Sequence, residues 1–365
     1  MAGPDPEQAV AAGKARREEY SGVDYVRYTE GVKDIPRGTA AFGDRLVYGY
    51  PHIGRILALE PGLAQQFDGP FRVEEKIDGF NVRVFRLDGE LVALSRGGFV
   101  CPFSTDRAAE FIDPALFEDH PDLVVCAEVA GPDNPYIEGH PPFVTRDVRF
   151  FVFDLMRASA PGFLPAAELD ALTRRYRLPR VEAFGRHAPA DAGAIGEIVT
   201  RLDAEGREGV VLKSDPPATR RAKYVTANSG IQDIRATARS IMDLPAEYFT
   251  NRILRLVLFR DEHALGQSPE FDCRLGAAFL DGLYEAIQQF RAEHRVYRTF
   301  RCRFRERINA ERMMDHLGRV ASRQVAIAQR DLRRDGDRWL LEFDRVYPTM
   351  NGLLGHLLGG GLVYD

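Results

Sequence analysis

One lysine in this chain stands where its amine could act as a nucleophile. Residues 73–84 read Val-Glu-Glu-Lys-Ile-Asp-Gly-Phe-Asn-Val-Arg-Val, so Lys76 ends a predicted strand just before an Asp-Gly turn. A lysine in that position is held at the rim of a sheet rather than out in solvent. A plain β-hairpin explains the same pattern, because Asp88-Gly89 repeats it one strand later. The segment alone leaves both interpretations open.

Lysine is scarce in this sequence. Of the 49 basic residues only five are lysines, at positions 14, 33, 76, 213 and 223, and the other 44 are arginines. Arginine stays protonated at any working pH, whereas lysine can lose a proton and attack an electrophile. The few lysines are therefore candidates for positions that require an amine, and three of them lie in the motifs described below.

The composition is that of a globular chain in a reducing compartment. At 365 residues with 45% hydrophobic side chains, it can form two or three domains with substantial cores. A net charge of −5 means that any contact with nucleic acid comes from a local cleft, which excludes a bulk coating protein. Four scattered cysteines form neither a disulfide framework nor a close zinc pair, which favours the cytoplasm. We find no signal peptide or bilayer-spanning run and expect no membrane partner.

Residues 71–228 are predicted to form sheets with helices between the strands. The predicted strands are 71–76, 81–87, 90–95, 122–130, 148–155, 180–184 and 208–214, and the predicted helices lie near 105–118, 165–177 and 191–204. Strands joined by Asp-Gly turns must pair antiparallel, so the expected class is α+β with an antiparallel or mixed sheet. No glycine-rich phosphate loop is present, so a triphosphate would be bound by side chains.

Two regions flank this predicted domain. Residues 1–70 contain short apolar stretches broken by glycine and proline, which predict a small β-rich extension, and residues 1–22 are predicted to be a polar helix or a mobile leader. Residues 229–365 are predicted to be helical, with helices at 229–260, 270–294, 304–334 and 337–357. A solvated helix face explains the many arginines of this last region.

Five separated segments carry the strongest functional signal. They are Glu75-Lys76-Ile77-Asp78-Gly79-Phe80-Asn81, Ser95-Arg96-Gly97, Ala127-Glu128-Val129-Ala130-Gly131, Phe150-Phe151-Val152-Phe153-Asp154-Leu155, and Glu208-Gly209-Val210-Val211-Leu212-Lys213 followed by Arg221-Ala222-Lys223. Each is weak alone. In this order and spacing they resemble the motifs of the covalent nucleotidyltransferases, which comprise polynucleotide ligases and mRNA capping enzymes. The resemblance implies an α+β nucleotidyltransferase domain.

The resemblance narrows to one family. Asn81, five residues after the lysine, matches the asparagine of many RNA ligases, where DNA ligases typically have arginine. The segments Arg37-Gly38-Thr39 and Gly49-Tyr50-Pro51-His52-Ile53, with the helical C-terminal region, make the chain from about residue 25 similar to archaeal-type homodimeric ATP-dependent RNA ligases. This implies ATP, Mg²⁺ or Mn²⁺, RNA with 5′-phosphate and 3′-hydroxyl ends, and a homodimer. Helices after residue 229 would also leave no room for the β-barrel that DNA ligases and capping enzymes continue into.

Adenylyl transfer requires a neutral amine, cations around the phosphates and a pocket for the base. Lys76 supplies the amine. Because a free lysine has a pKa near 10.4, desolvation, neighbouring cations and a metal must make it a better nucleophile. Lys213, Arg221, Lys223 and Mg²⁺ are the candidates for this effect and for binding the α-phosphate. At Arg221-Ala222-Lys223 the chain departs from the Lys-x-Lys of many relatives.

The resemblance also implies roles for the other residues. It places Glu75 at the adenine edge, Asn81 and Arg96 near the phosphates, Glu128 at the ribose hydroxyls, Phe153 on adenine opposite Val211, and Glu208 on the metal or the attacking lysine. The residue types themselves leave alternatives, since a salt-bridged core acid explains either glutamate and core packing explains the phenylalanine. Strand alternation further predicts Phe151 and Phe153 on one face and Asp154 on the other.

The expected activity is ATP-dependent RNA ligation in three steps. Lys76 forms lysyl-AMP and releases pyrophosphate, the AMP passes to an RNA 5′-phosphate, and the 3′-hydroxyl then displaces AMP and seals the strand. Two alternatives stay open at this point. One is a DNA ligase or a capping-type nucleotidyltransferase, and the other is a non-catalytic protein that binds RNA ends.

Overall fold

The computed structural model describes residues 5–214, 219–245, 247–320 and 325–363. The strands are β1 (Ala15–Tyr20), β2 (Val23–Tyr28), β3 (Ala40–Phe42), β4 (Arg45–Val47), β5 (Gly54–Arg55), β6 (Phe71–Lys76), β7 (Phe80–Leu87), β8 (Glu90–Ser95), β9 (Leu123–Ala130), β10 (Arg149–Arg157), β11 (Ala183–His187), β12 (Gly209–Ser214), β13 (Arg221–Val225), β14 (Tyr297–Phe304), β15 (Ala326–Asp335) and β16 (Arg338–Val346). The α-helices are α1 (Pro6–Ala11), α2 (Leu59–Gln66), α3 (Pro102–Arg107), α4 (Ala115–Asp119), α5 (Ala166–Arg175), α6 (Ala192–Ala204), α7 (Ala227–Thr237), α8 (Glu247–Glu262), α9 (Pro269–Glu293), α10 (Arg307–Val320) and α11 (Pro348–Leu358).

Two sheets form the centre of the fold. The first has the strand order β10-β9-β7-β8 and is antiparallel, and the second has the order β11-β6-β12-β13-β5 and is antiparallel except for the β13–β5 pair. These pairings confirm the predicted α+β class with antiparallel and mixed sheets. The predicted strands between 71 and 214 agree with β6 to β10 and β12 within two residues, whereas the strand expected at 180–184 begins three residues later as β11.

The turn that follows Lys76 is not a hairpin. Strands β6 and β7 belong to different sheets, and residues 77–79 carry the chain from the second sheet to the first. A glycine fits at position 79 because a Cβ there would lie 2.5 Å from the Val129 carbonyl oxygen. The plain-hairpin interpretation of this segment is therefore wrong. The second turn does close the β7–β8 hairpin, with Asp88 and Gly89 at φ of 49° and 91°.

The N-terminal extension is a separate antiparallel sheet with the order β1-β2-β3-β4. The prediction of a helix or a mobile leader over residues 1–22 holds only for α1, because β1 pairs with β2 along six residues. Only Ala15 of β1 is buried. Backbone pairing, which the pattern of polar side chains does not reveal, therefore stabilises this strand.

The predicted helices between 165 and 204 are confirmed as α5 and α6. The helix predicted at 105–118 is instead divided into α3, a short 3₁₀ turn at Ala108–Glu110 and α4. Pro114 stands between the last two pieces, and proline can begin a helix but cannot continue one through its interior.

The described part of the C-terminal region is built from helices alone as far as Glu293 and combines helices with strands after that residue. The helix predicted at 229–260 is divided into α7, a 3₁₀ segment at Ala238–Asp243 and α8, whereas α9 agrees with the helix predicted at 270–294. The helices predicted at 304–334 and 337–357 are wrong in part. Only α10 and α11 form there, and β14, β15 and β16 make an open three-stranded sheet in the order β14-β16-β15. In β14 the buried residues Phe300, Cys302 and Phe304 alternate with arginines, a period of two that the arginine-rich composition obscured.

This C-terminal sheet shares a hydrophobic core with the first central sheet. Residues of β7, β9 and β10 pack with residues of β14, β16 and α10, and the rings of Phe103 and Phe304 meet edge to face at 5.4 Å. A second core joins β6, β12 and β13 to α6, α7, α8 and α9.

The domain boundaries predicted at residues 70 and 228 stay predictions. In the described ranges, no helix combines the length and apolarity needed to cross a bilayer.

Candidate active site

A cavity of about 380 Å³ lies between the two central sheets. Residues from β6, β12 and β13 form one side, and residues from β7, β9, β10 and the turn after β8 form the other. Nine of the predicted site residues line it: Glu75, Lys76, Asn81, Arg96, Glu128, Phe153, Val211, Lys213 and Lys223. Within the described residues, the predicted site residues outside this lining are Glu208 and Arg221. Glu208 accepts a hydrogen bond from Lys76 of the lining, and Arg221 donates to the hydroxyl of Tyr50 of the lining at 3.2 Å.

Lys76 is held by Glu208, which stands immediately before the neighbouring strand β12. The Lys76 Nζ donates a hydrogen bond of 2.7 Å to Oε2 of Glu208, and the two side chains are 20% and 14% exposed. Burial lowers the pKa of Lys76, but the carboxylates of Glu208 and Glu128 outweigh burial, so the pKa lies above that of free lysine. In the ligand-free protein this shift favours the ammonium form, so the neutral amine that adenylyl transfer requires stays a prediction for the state with nucleotide and metal bound.

Two further carboxyl groups, of Glu128 and Asp78, lie close enough to Lys76 to act on its charge. Glu128 stands opposite Asn81 in the β7–β9 pair, and burial raises the pKa of Glu128 to about 8 despite the opposing charge of Lys76. Burial and the charge of Glu208 raise the pKa of Asp78 to about 7. Among the described residues Glu128 has no ion pair, so the alternative of a salt-bridged core acid does not describe it, whereas Glu208 is ion-paired with Lys76.

Asn81 and Arg96 present polar groups to the cavity. The Asn81 Oδ1 is buried and has no hydrogen-bond partner among the described residues. An amide oxygen accepts hydrogen bonds while the amide nitrogen donates them, so this side chain can serve both a hydroxyl and a phosphate. An Nη of Arg96 lies 3.1 Å from Nδ1 of His52. Because a guanidinium only donates, that ring nitrogen accepts and carries no proton.

Phe153 and Val211, which are predicted to enclose the adenine, both line the cavity. Both are partly exposed to the cavity, and the ring of Tyr50 meets Phe153 edge-on at 5.2 Å. A β-bulge between Val152 and Asp154 shifts the side-chain alternation by one residue. Phe153 and Asp154 consequently both contact Tyr50, whose hydroxyl donates to Asp154 at 2.6 Å. The prediction that Asp154 faces away from Phe153 is wrong for this reason.

Lys213 and Arg221 are held in a buried ion-pair network. Lys213 Nζ lies 2.6 Å from a Glu74 oxygen and 3.3 Å from an Asp154 oxygen, and it also donates to the Phe153 carbonyl at 2.7 Å. Arg221 donates to Asp154 at 2.7 Å. Burial opposes ionisation of Asp154, but Lys213 and Arg221 overcome it and hold its pKa below the usual range. Two of the three side chains predicted to bind the α-phosphate, Lys213 and Arg221, are thus already paired with carboxylates in the ligand-free protein.

Glu75 is also engaged by a neighbouring cation. Arg207, from the loop before β12, donates to the two carboxylate oxygens of Glu75 at 2.5 and 2.7 Å. The backbone N–H of Glu75 donates to the Glu182 carbonyl at 2.8 Å. Its carboxylate therefore belongs to the wall of the cavity, and its backbone is tied to the segment that contains Glu182.

Glu208 is the predicted metal ligand. Across the described ranges, no group of three histidine, cysteine, aspartate or glutamate side chains is close enough to hold a metal ion. Mg²⁺ commonly takes only one or two carboxylates and completes its shell with substrate phosphates and water. The residues present fit that kind of site, in which the bound nucleotide supplies most of the ligands.

Several site residues were not predicted. They are Tyr50 and Ile53 on the cavity wall, Tyr136 beside Phe80, and the network residues Glu74, Asp154 and Arg180. One signal could have identified Glu74, because it lies two residues before Lys76 on the same strand and therefore on the same face. The contribution of the segment around Tyr50 depends on tertiary contact and carries no such local signal.

Comparison with known proteins agrees with this geometry. Residues 69–225 match the family described as RNA ligase, and residues 236–361 match the family described as Ligase Pab1020 C-terminal region. A protein of Aquifex aeolicus, provisionally named an ATP-dependent DNA ligase, is 50% identical with a TM-score of 0.93 over 98% of this chain and 99% of its own.

Two further similarities extend over nearly the whole chain. A structure named archaeal ATP-dependent RNA ligase, form 2, is 32% identical with a TM-score of 0.88 and covers 98% of this chain and 95% of that one. An uncharacterised protein of Methanocaldococcus jannaschii is 28% identical over 360 residues, which are 95% of this chain and 90% of the relative. The family matches and the near-complete structural agreement place this chain in the family of archaeal-type ATP-dependent RNA ligases.

Proposed function

We propose that this RNA ligase joins an RNA 5′-phosphate to an RNA 3′-hydroxyl through lysyl-AMP and RNA-adenylate intermediates. The observation that carries the proposal is the placement of Lys76. Its amine lies in a cavity between two sheets, with Phe153 and Val211 on the walls. Arg96 and Lys223 line the same cavity and, within the described residues, have no carboxylate in ion-pair contact.

The first step requires the Lys76 ammonium to lose a proton. Glu208 is the acceptor, because its Oε2 lies 2.7 Å from Nζ and burial raises its pKa above that of a free glutamate. The neutral amine then bonds to the α-phosphorus of ATP as the bond to the bridging oxygen of pyrophosphate breaks. The products are lysyl-AMP and pyrophosphate.

The next two steps transfer and then release AMP. An oxygen of the RNA 5′-phosphate attacks the AMP phosphorus, the Nζ–phosphorus bond breaks, and Lys76 regains its proton. The RNA 3′-hydroxyl then attacks the 5′-phosphorus, AMP leaves, and the hydroxyl proton passes to a base. Asn81 and Arg96 orient the 5′-phosphate by hydrogen bonding in both steps, and Glu128 holds the ribose hydroxyls of AMP.

ATP is the proposed adenylyl donor, with Mg²⁺ or Mn²⁺ as the metal. Glu208 would hold the metal together with the phosphates of the bound nucleotide. A divalent ion bound there neutralises phosphate charge and polarises the phosphorus under attack.

The covalent intermediate is the direct test. Wild-type protein incubated with ATP and Mg²⁺ should gain the mass of one AMP in intact-protein mass spectrometry. Lys76→Ala removes the amine, and Lys76→Arg replaces it with a guanidinium, which does not deprotonate. Both variants should therefore stay unmodified. Lys33→Ala, at an exposed lysine, is the matched control and should be modified like wild type. An adduct on either Lys76 variant would refute the nucleophile, and an unmodified wild type that still binds RNA ends would favour the non-catalytic alternative.

The names of the relatives differ in the nucleic acid that is joined. The Aquifex protein is named for DNA, and the archaeal structures are named for RNA. We favour RNA because of the resemblance at Asn81, which matches the asparagine of many RNA ligases where DNA ligases typically have arginine. An asparagine can orient a phosphate by hydrogen bonds but cannot neutralise it as an arginine would.

Matched single strands separate the two substrates. Sealing of 5′-phosphorylated RNA should exceed sealing of the DNA of the same sequence at equal salt, because a 2′-hydroxyl can be recognised directly and salt alone changes affinity. Asn81→Ala should lower AMP transfer to the 5′-phosphate. Sealing of the DNA that is as fast as sealing of the RNA would refute RNA as the preferred substrate and leave the lysyl-AMP chemistry intact.

We also propose that the helices after residue 228 form a homodimer. Leu254 and Val257 on α8 are 55% and 58% exposed, and Leu280 and Tyr284 on α9 are 51% and 61% exposed. Spacings of three and four residues put each pair on one helix face, where a second copy can cover it. Light scattering at micromolar concentration should give twice the mass of the chain, and the mass of one chain would contradict the dimer.

A further inference from the structure

The turn that carries Arg96 is rich in glycine. Residues 95–99, which we call the Arg96 turn, read Ser-Arg-Gly-Gly-Phe, and glycine allows the backbone many conformations. Two hydrogen bonds close the turn, one of 2.9 Å from the Gly98 N–H to the Ser95 carbonyl and one of 2.8 Å from the Ser95 N–H to the Phe99 carbonyl. The Arg96 side chain is exposed, so the direction in which it points depends on this backbone.

The N-terminal extension packs against the Arg96 turn, backbone to backbone. A Cβ on Gly38 would lie 2.2 Å from the Arg96 carbonyl oxygen, and a Cβ on Gly98 would lie 2.6 Å from the Gly38 carbonyl oxygen. Both glycines have a positive φ, of 84° and 82°. This close approach therefore requires glycine on both sides. Directly after the turn, the hydroxyl of Tyr25 on β2 accepts a hydrogen bond of 3.2 Å from the Val100 N–H.

Arg83 on β7 joins the extension to the turn. Its side chain is fully buried and, in the part of the chain that the structure describes, forms no ion pair. Its Nη2 donates to the Gly38 and Ser95 carbonyls at 2.8 Å each, and its Nη1 donates to the Tyr48 carbonyl. Burial lowers the pKa of Arg83 to about 10. Because a buried charge without a carboxylate partner is costly, these hydrogen bonds must be kept, and they hold together the segments that supply the carbonyls.

Arg27 on β2 holds the end of the turn. Its guanidinium lies 3.6 Å from the centre of the Phe99 ring, and its Nη1 lies 3.5 Å from the Gly97 carbonyl oxygen. Glu18 on β1 accepts hydrogen bonds from the Nε and Nη2 of Arg27 at 2.9 and 2.8 Å. A cation over an aromatic ring is attracted to it, and the attraction is stronger where water is excluded, as it is around the buried Arg27.

We propose that Arg27 and Arg83 are positioning residues, through which the N-terminal extension fixes the Arg96 turn and thereby aims Arg96 at the RNA 5′-phosphate. The inference rests on the proposed function, in which Arg96 orients that phosphate. A guanidinium that is already aimed loses less conformational freedom on binding, and a displacement of about 1 Å can slow a reaction roughly a hundredfold. The extension therefore acts on the steps that use the RNA rather than on lysyl-AMP formation.

Amide hydrogen exchange of the ligand-free, full-length protein tests this contact without catalysis. Arg27→Met keeps an apolar stem over Phe99 and removes the charge. Exchange over residues 95–100 should become roughly fivefold faster, because the attraction that resists local opening is lost, while exchange in β12 stays as in wild type. Arg17→Ala on β1, whose side chain is 70% exposed, is the matched control and should change neither rate. Unchanged exchange over residues 95–100 in Arg27→Met would overturn the proposal.

Single-turnover kinetics test the effect on the reaction. Arg27→Met should form lysyl-AMP within about twofold of the wild-type rate but transfer AMP from preformed lysyl-AMP to 5′-phosphorylated RNA roughly tenfold more slowly. Arg27→Lys, which keeps a cation near the ring, should recover part of the transfer rate. Since Arg27 acts through Arg96, adding Arg27→Met to Arg96→Ala should slow transfer by no more than about twofold further. Losses that add in the double variant, or equal losses in both steps, would overturn the proposal.

Arg83→Lys should show the same pattern, because an ammonium lacks the fork of donors with which the guanidinium reaches the Gly38, Ser95 and Tyr48 carbonyls. A transfer rate equal to that of wild type would overturn the role of Arg83. Should this variant fail to fold, the Arg27 variants decide the proposal. If wild type forms no lysyl-AMP, the proposed function fails, while the exchange measurement still decides whether Arg27 holds the turn.

Discussion

Glu128→Gln should make the ligand-free protein more stable at alkaline pH. Burial raises the pKa of Glu128 from 4.5 to about 8. Between these two pH values the folded protein keeps a proton on this carboxyl that the unfolded chain has released. The free energy of unfolding therefore falls as the pH rises through this window, and the loss is complete above about pH 8. Glutamine keeps the shape of the protonated acid and does not titrate.

The size of the effect follows from the same pKa. Each pH unit of the window lowers the free energy of unfolding by about 1.4 kcal/mol, so the full window corresponds to at most about 5 kcal/mol. Partial access of water to the carboxyl reduces this to about 3 to 5 kcal/mol. Between pH 6 and pH 9 only the upper part of the window is crossed. The advantage of the variant over wild type should therefore grow by about 2 to 3 kcal/mol between those two pH values.

Urea unfolding of wild type and Glu128→Gln at pH 6, 7, 8 and 9 measures this difference. Glu90→Gln, at an exposed glutamate in the β7–β8 hairpin, is the control and should show no pH-dependent difference from wild type. The variant should also lose affinity for ATP if Glu128 holds the ribose. A stability difference that stays constant with pH, or a variant no more stable than wild type at pH 9, would refute the assignment of the raised pKa to Glu128.

Three further perturbations test other parts of the structure. Asp154→Ala leaves Lys213 and Arg221 with Glu74 as their buried carboxylate. Urea unfolding should then show that the free energy of unfolding falls by about 3 to 5 kcal/mol, and adding Arg221→Met should partly reverse this fall. A fall below about 1 kcal/mol would contradict the network. Gly79→Ala places a Cβ 2.5 Å from the Val129 carbonyl oxygen. This clash should lower the free energy of unfolding by about 1 to 3 kcal/mol and slow lysyl-AMP formation, measured by mass spectrometry. An unaffected rate would show that residues 77–79 adapt freely. Leu254→Asp with Val257→Asp should convert the proposed dimer to a monomer in light scattering, whereas Ile308→Asp on α10, also an exposed apolar residue, should not.

The sequence predicted the parts of the site that lie within single segments. Lys76 at the end of a strand, the Glu128 and Glu208 positions and the Phe153 strand all follow local patterns, and the structure brings their side chains to one cavity or its wall. Strand positions between 71 and 214 were predictable for the same reason, because alternation and turn residues are local properties.

What failed depends on pairing between distant segments. An Asp-Gly turn shows that the chain reverses but not which strand becomes the partner, so the passage of residues 77–79 between sheets was not predictable. The pairing of β5 with β13, which places Arg55 near the cavity, involves only two residues and has no pattern of its own. In β14 to β16 the arginines matched a helix face as well as a strand edge, and only backbone pairing distinguishes the two.

The passage of the chain between sheets directly after Lys76 has a mechanical consequence. Lys76, the proposed nucleophile, and Glu208 lie on or directly beside the second sheet, whereas Asn81, Arg96 and Glu128 belong to the first sheet or to its turn. Any rotation of one sheet against the other therefore changes the distance from the amine to groups that hold the nucleotide and the RNA end. Residues 77–79 link the two sheets, and we expect a nucleotide that contacts both sheets to fix their separation. Ligand binding should accordingly slow amide hydrogen exchange at residues 77–79 and leave exchange in the outer helices unchanged.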